Sequence, residues 1–87
     1  MDTKPIALKH IVGGDTIGGR LCTLRAEHDL SARALSFELG YTEQSIRVWE
    51  KNKNAPLTGV IMAYSDYFGV STDWILYGKE FEDRFSN

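Results

Sequence analysis

The chain has 87 residues, 43% hydrophobic and 25% charged, the composition of one small globular domain rather than of a disordered or fibrous segment. Its formal charge is −2, no apolar run approaches the roughly 20 residues that span a bilayer, and no charged-then-apolar leader opens it, so neither a membrane span nor a signal peptide is expected. A single cysteine, Cys22, excludes an intrachain disulfide framework and fits a reducing, cytoplasmic setting.

Residues 1–15, broken by Pro5, Gly13, Gly14 and Asp15, read as an N-terminal arm. Its short apolar stretch Ile6–Val12 could pair as a strand or stay a loose arm, and reads best as a mobile or partner-paired arm. From Thr16 a helical period begins. Ile17, Leu21, Leu24 and His28 share one face of a first helix, although Gly18 and Gly19 weaken its first turn by nearly ~1 kcal/mol each relative to alanine. Ser31 reads as the N-cap of a second helix through Leu39, with Ala34, Leu35 and Leu39 inward, and Gly40 supplies the positive φ that ends it. Thr42 caps a third helix to about Lys51, with Ile46 and Trp49 on its inner face. Asn52-Lys53-Asn54-Ala55-Pro56 is a polar turn. Thr58 is expected to cap a fourth helix carrying Val60, Ile61, Tyr64 and Phe68, closed by Gly69. Ser71 or Thr72 caps a short fifth helix with Trp74, Ile75 and Leu76, ended by Gly78. Residues 79–87 form a C-terminal tail with Phe81 and Phe85 one turn apart.

Two capped helices joined by a glycine turn, Ser31–Leu39 and Thr42–Lys51, form a helix-turn-helix unit, whose second helix enters the DNA major groove in proteins that use it. The negative total does not forbid this. Arg20, Arg25, Arg33, Arg47, Lys51 and Lys53 slightly outnumber Glu27, Asp29, Glu38, Glu43 and Glu50 in the middle of the chain, and much of the excess acid (Asp66, Asp73, Glu80, Glu82, Asp83) lies towards the C-terminus.

Leu30-Ser31, Leu35, Leu39-Gly40-Tyr41-Thr42, Ile46, Trp49-Glu50, Pro56 and the run Phe68–Gly78 together resemble the lambda-repressor-like family of the Cro/C1 (XRE) type, over residues 16–78. The resemblance implies an all-α, five-helix DNA-binding domain. It also implies a repressor or Cro-like regulator of phage or bacterial kind, binding a palindromic double-stranded operator as a homodimer. Arg25 and Glu50 are implied as a buried ion pair tying the first helix to the third. Ala32 and Ser36 depart from the family, which often carries Gln and prefers Ala at those positions.

On this expectation Gln44 reads a base, since a carboxamide matches the N6/N7 edge of adenine. Arg47 reaches guanine or a phosphate, Val48 a thymine methyl, and Glu43 the N4 group of cytosine. Thr42 and Ser45 open the reading helix, where the free backbone amides suit a phosphate oxygen. Lys51, Asn52, Lys53, Asn54 and Arg33 are expected at the DNA backbone. The competing reading of each is a solvated surface or turn residue.

Nothing points to an enzyme. Cys22, His10 and His28 do not form a metal-ligand spacing, and the paired glycines lack the Lys-Ser/Thr of a phosphate loop, so neither metal nor cofactor is expected. Dimer contacts are expected around Trp74–Phe85, with the arm as a second candidate. The alternatives are an antitoxin with a toxin partner, or a protein-interaction module on the same scaffold, with an antirepressor as a further possible partner.

Overall fold

The computed structural model describes residues 15–78. The arm before Asp15 and the tail after Gly78 lie outside the described residues, and with them the part of the expected dimer contacts at the arm and beyond Gly78. Five helices follow in order: α1 (Ile17–Glu27), α2 (Ala32–Leu39), α3 (Glu43–Glu50), α4 (Thr58–Phe68) and α5 (Thr72–Tyr77). No strand occurs among the described residues, and no described helix is long and apolar enough to cross a membrane.

Four of the helices begin where a side-chain oxygen can take an otherwise unpaired amide. Thr16 accepts from Gly19, Ser31 from Ala34, Thr42 from Ser45 and Ser71 from Trp74. The exception is α4. Its N-cap is Leu57, whose carbonyl takes the amides of Val60 and Ile61 at 2.9 and 3.2 Å, with no side-chain cap. Thr58 therefore lies inside the first turn, not at the cap the sequence suggested. Gly40, Gly69 and Gly78 end their helices in the left-handed conformation, at φ of 79°, 69° and 78°. His28 falls one residue past α1, with Nδ1 2.8 Å from the Leu24 carbonyl and its ring against Phe68.

One core joins all five helices. Leu21, Leu24, Ala32, Leu35, Ile46, Val60, Ile61, Tyr64, Val70 and Ile75 are buried in it. Each large apolar side chain removed from water contributes about 1.5–3 kcal/mol. Trp49, Phe68 and Trp74 line its rim as partly buried groups instead of filling its centre. Ala32, the departure from the family's glutamine, is 2% exposed and adds apolar surface to this core. Burial also pushes the Tyr64 phenol above its ordinary range.

Two polar contacts fix the helices that matter for function. Arg20, buried on α1, donates through Nε to the Ile75 carbonyl (2.7 Å), through Nη2 to the Leu76 carbonyl (2.9 Å) and through Nη1 to Asp15 (2.7 Å). A cation thereby meets the carbonyl-rich end of α5. At the same end of α1, the carboxamide of Asn52 accepts from the Gly18 amide at 2.9 Å and donates to Thr16 at 2.8 Å. The chain leaving α3 is thus joined to the start of α1.

Candidate nucleic-acid interface

The site is built from α2, the Gly40 turn and α3. Gly40 reverses the chain, and its amide bonds back to the Ser36 carbonyl at 2.9 Å. Tyr41 follows and sets its ring edge-on against Trp49, centroids 5.2 Å apart. Ile46, wholly buried, anchors the inner face of α3. The ion pair implied by the resemblance is present. Arg25 Nε and Nη2 meet Glu50 Oε2 and Oε1 at 2.7 and 2.9 Å, while Nη1 donates to the Leu30 carbonyl at 2.8 Å. The hydrogen bonds to Glu50 push the Arg25 guanidinium further towards the charged form. These contacts hold α3 to α1 through its core face and last turn, and leave its leading face outward.

That outward face carries several of the expected residues. Gln44 is exposed, and its carboxamide has no hydrogen-bond partner among the described residues. Thr42 and Ser45 flank it: the Thr42 hydroxyl donates to Ser45 Oγ at 2.8 Å and accepts the Ser45 amide at 3.0 Å. Val48 is half-buried one turn later. Thr42, Gln44, Ser45, Val48, Trp49 and Asn54 line an open hollow of about 300 Å³ beside the helix. Its lining combines the apolar Val48 and Trp49 side chains with hydroxyl and carboxamide groups.

The remaining expected residues stand as follows. Glu43 and Arg47 form an exposed ion pair one turn apart, at 2.7 Å. Lys51 is the C-cap of α3 and is exposed, as are Lys53 and Asn54 in the following turn. Asn52, at φ 58°, turns its side chain back to α1. Arg33 lies on exposed α2 surface with its guanidinium 5.9 Å from the Phe37 ring centroid. The structure thus brings Thr42, Gln44, Ser45, Val48 and Asn54 together, adds Glu43, Arg47 and Lys51 along the same helix, and sets Arg33 apart on α2. Cys22 lies beside the Arg25–Glu50 pair, where burial pushes its thiol up and away from reactivity. No group of three or more possible metal ligands occurs among the described residues.

Sequence reasoning missed three positioning residues. Arg20 was counted only as a charge, Gly18 only as a weak helix former, and Asn52 as a turn residue expected at the DNA backbone, whereas its carboxamide is engaged by Gly18 and Thr16. The visible signal was the pair of glycines in the first turn of a helix, an arrangement that propensity disfavours and close packing explains.

A helix positioned in this way, polar outside and pinned by Ile46 and the Arg25–Glu50 pair, defines a helix-turn-helix domain. The profile of the helix-turn-helix family matches residues 23–75, more than half of the chain, and the protein belongs to that family. Among solved structures, the P22 c2 repressor protein, crystallised in complex with the synthetic operator 9T in the presence of Tl+, is similar with a TM-score of 0.70. That similarity is at 24% identity and covers 76% of this chain and 100% of that one. None of the curated proteins compared with the chain matches it in sequence. The lambda-repressor-like, all-α fold expected from the residues is the fold observed.

Proposed function

We propose that the protein is a sequence-specific DNA-binding transcriptional regulator of the repressor or Cro type. It acts without catalysis, in the cytoplasm, binding a palindromic operator as a homodimer. Two copies of α3 then enter successive major grooves about 34–36 Å apart, and occupancy of a promoter excludes polymerase. The observation that carries this reading is the state of Gln44. Its carboxamide is exposed and, among the described residues, unpartnered, on a helix whose opposite face is locked to the body. Thr42, Ser45, Lys51, Lys53 and Asn54 supply the hydroxyl, ammonium and carboxamide groups that take phosphate oxygens and set register, while Gln44 and Val48 meet base edges.

The test is selection of bound duplexes from a random pool, with the native chain and with Gln44→Ala. The native chain is expected to enrich a two-fold symmetric motif, and binding is expected to weaken steeply with added salt as counterions are displaced. Gln44→Ala is expected to erase one base preference in each half-site, a loss of about 1–3 kcal/mol of discrimination. A motif unchanged by the substitution removes Gln44 from base reading.

A protein-interaction module is the second reading. Exposed Phe37, Leu57, Met62, Tyr67 and Tyr77 favour it, since large apolar side chains in water mark contact surfaces when they cluster. Failure of the native chain to enrich any motif at low salt selects this alternative, with a toxin or antirepressor as the kind of partner.

A further inference from the structure

Glu43 and Arg47 hold each other in a way that leaves a defined pattern outward. Arg47 Nε and Nη2 both donate to one oxygen, Glu43 Oε2, at 3.1 and 2.7 Å. Among the described residues, Glu43 Oε1 and Arg47 Nη1 have no partner. The two side chains stay accessible, at 39% and 55% exposure. The pair thus leaves one carboxylate oxygen and the Nη1 amino group unengaged on the exposed surface of α3, with no net charge.

A bare carboxylate on a helix that faces phosphates is repelled, and a bare guanidinium is drawn to them. Pairing cancels both effects. What remains is hydrogen-bonding shape, and the major-groove edge of a G·C pair matches it. Guanine offers two adjacent acceptors, N7 and O6, and cytosine offers the N4 donor beside them. Arg47 Nη1 can serve the guanine acceptors while Glu43 Oε1 takes the cytosine donor. An A·T pair places its donor between two acceptors, so the same unit makes fewer bonds there and meets the thymine methyl.

We propose that Glu43 and Arg47 act as one neutral reading unit that selects a G·C pair with cytosine on the Glu43 side, a specificity element distinct from Gln44. The proposal rests on the DNA-reading function of α3. It differs from the simpler expectation that each residue contacts DNA independently.

The test extends the duplex selection to Glu43→Ala, Arg47→Ala and the double variant, followed by affinity measurements on the enriched duplex and on its G·C-to-A·T substitution. Each single variant is expected to lose preference at the same base pair, by about tenfold or more. The double variant is expected to lose little beyond either single, because one unit is broken in all three. Gln44→Ala is expected to affect a different position. The proposal is overturned if Glu43→Ala tightens binding to all duplexes alike and keeps every preference, since Glu43 then merely restrains a phosphate-seeking arginine. It is equally overturned if the two single variants act at different positions. Both results leave a native motif in place, so they are separable from failure of the DNA-binding reading, in which the native chain enriches nothing.

Discussion

Glu50→Ala is expected to destabilise the domain by about 3 kcal/mol, because it leaves a largely buried charge without its counter-ion. Glu50 receives two of the hydrogen bonds of Arg25, and the two side chains are only 8% and 19% exposed. After the substitution Arg25 keeps the Leu30 carbonyl and a long contact of 3.8 Å to Cys22. Partial access of water to the arginine places the effect at the lower end of what a stranded buried charge costs. At about 4–8 °C per kcal/mol for a domain of this size, a loss near 3 kcal/mol lowers the melting temperature by roughly 12–24 °C. That is a large fraction of the stability such a chain has to lose. Replacing both partners with apolar groups, Arg25→Met with Glu50→Leu, is expected to recover most of it, since no charge is then stranded. Thermal unfolding followed by circular dichroism checks both variants. A Glu50→Ala melting curve within about 0.5 kcal/mol of the native one, the scatter of an ordinary surface substitution, contradicts a structural role for the pair.

Gly18→Ala reverses the sign that helix propensity gives. On propensity alone, alanine in place of a helical glycine stabilises by nearly ~1 kcal/mol. In the fold, a Cβ at Gly18 runs into the Trp49 carbonyl oxygen and sits 2.7 Å from both the Glu50 carbonyl oxygen and Asn52 Oδ1. Two of these atoms are backbone of the last turn of α3 and cannot swing aside. The substitution must therefore push α3 off α1, and overpacking of this kind costs about 1–3 kcal/mol or more. The Asn52 bond to the Gly18 amide is strained by the same movement. Because the displaced element is the proposed reading helix, DNA affinity is expected to fall further than stability alone explains. Gly59→Ala is the control: it stands in the first turn of α4 with open space around its Cβ, and is expected to raise stability by about 0.4–1 kcal/mol. Equal stabilisation by both substitutions rules out the close approach of α1 and α3.

The contrast between these two glycines shows which features the sequence makes readable. Ser31, Thr42 and Gly40 declare themselves because a cap acts within four residues of its own position, so the helix-turn-helix was legible from local chemistry. Ile46 and Leu35 were legible through periodicity. Gly18 was not, because the atoms that require it are the carbonyls of Trp49 and Glu50, more than thirty residues away. Arg20 was hidden for the same reason: its carbonyl acceptors belong to Ile75 and Leu76. Thr58 misled because its residue type favours a cap, while Leu57 takes that place through its backbone alone. On the candidate interface, the sequence names Glu43 and Arg47 as separate charges. Only the folded helix brings two of the three guanidinium nitrogens onto one carboxylate oxygen, with the other oxygen left over.

The most direct measurement is an amide chemical-shift titration of the native protein with a duplex carrying one enriched half-site. On the proposed function the leading face of α3 meets the bases, held in place by Ile46 and the Arg25–Glu50 pair. The largest changes are expected at Thr42, Gln44, Ser45, Arg47 and Val48, followed by Lys53 and Asn54, with α5 little affected. Changes that spare α3 and gather around Phe37, Met62 and Tyr67 contradict the assignment of this helix as the DNA-reading element.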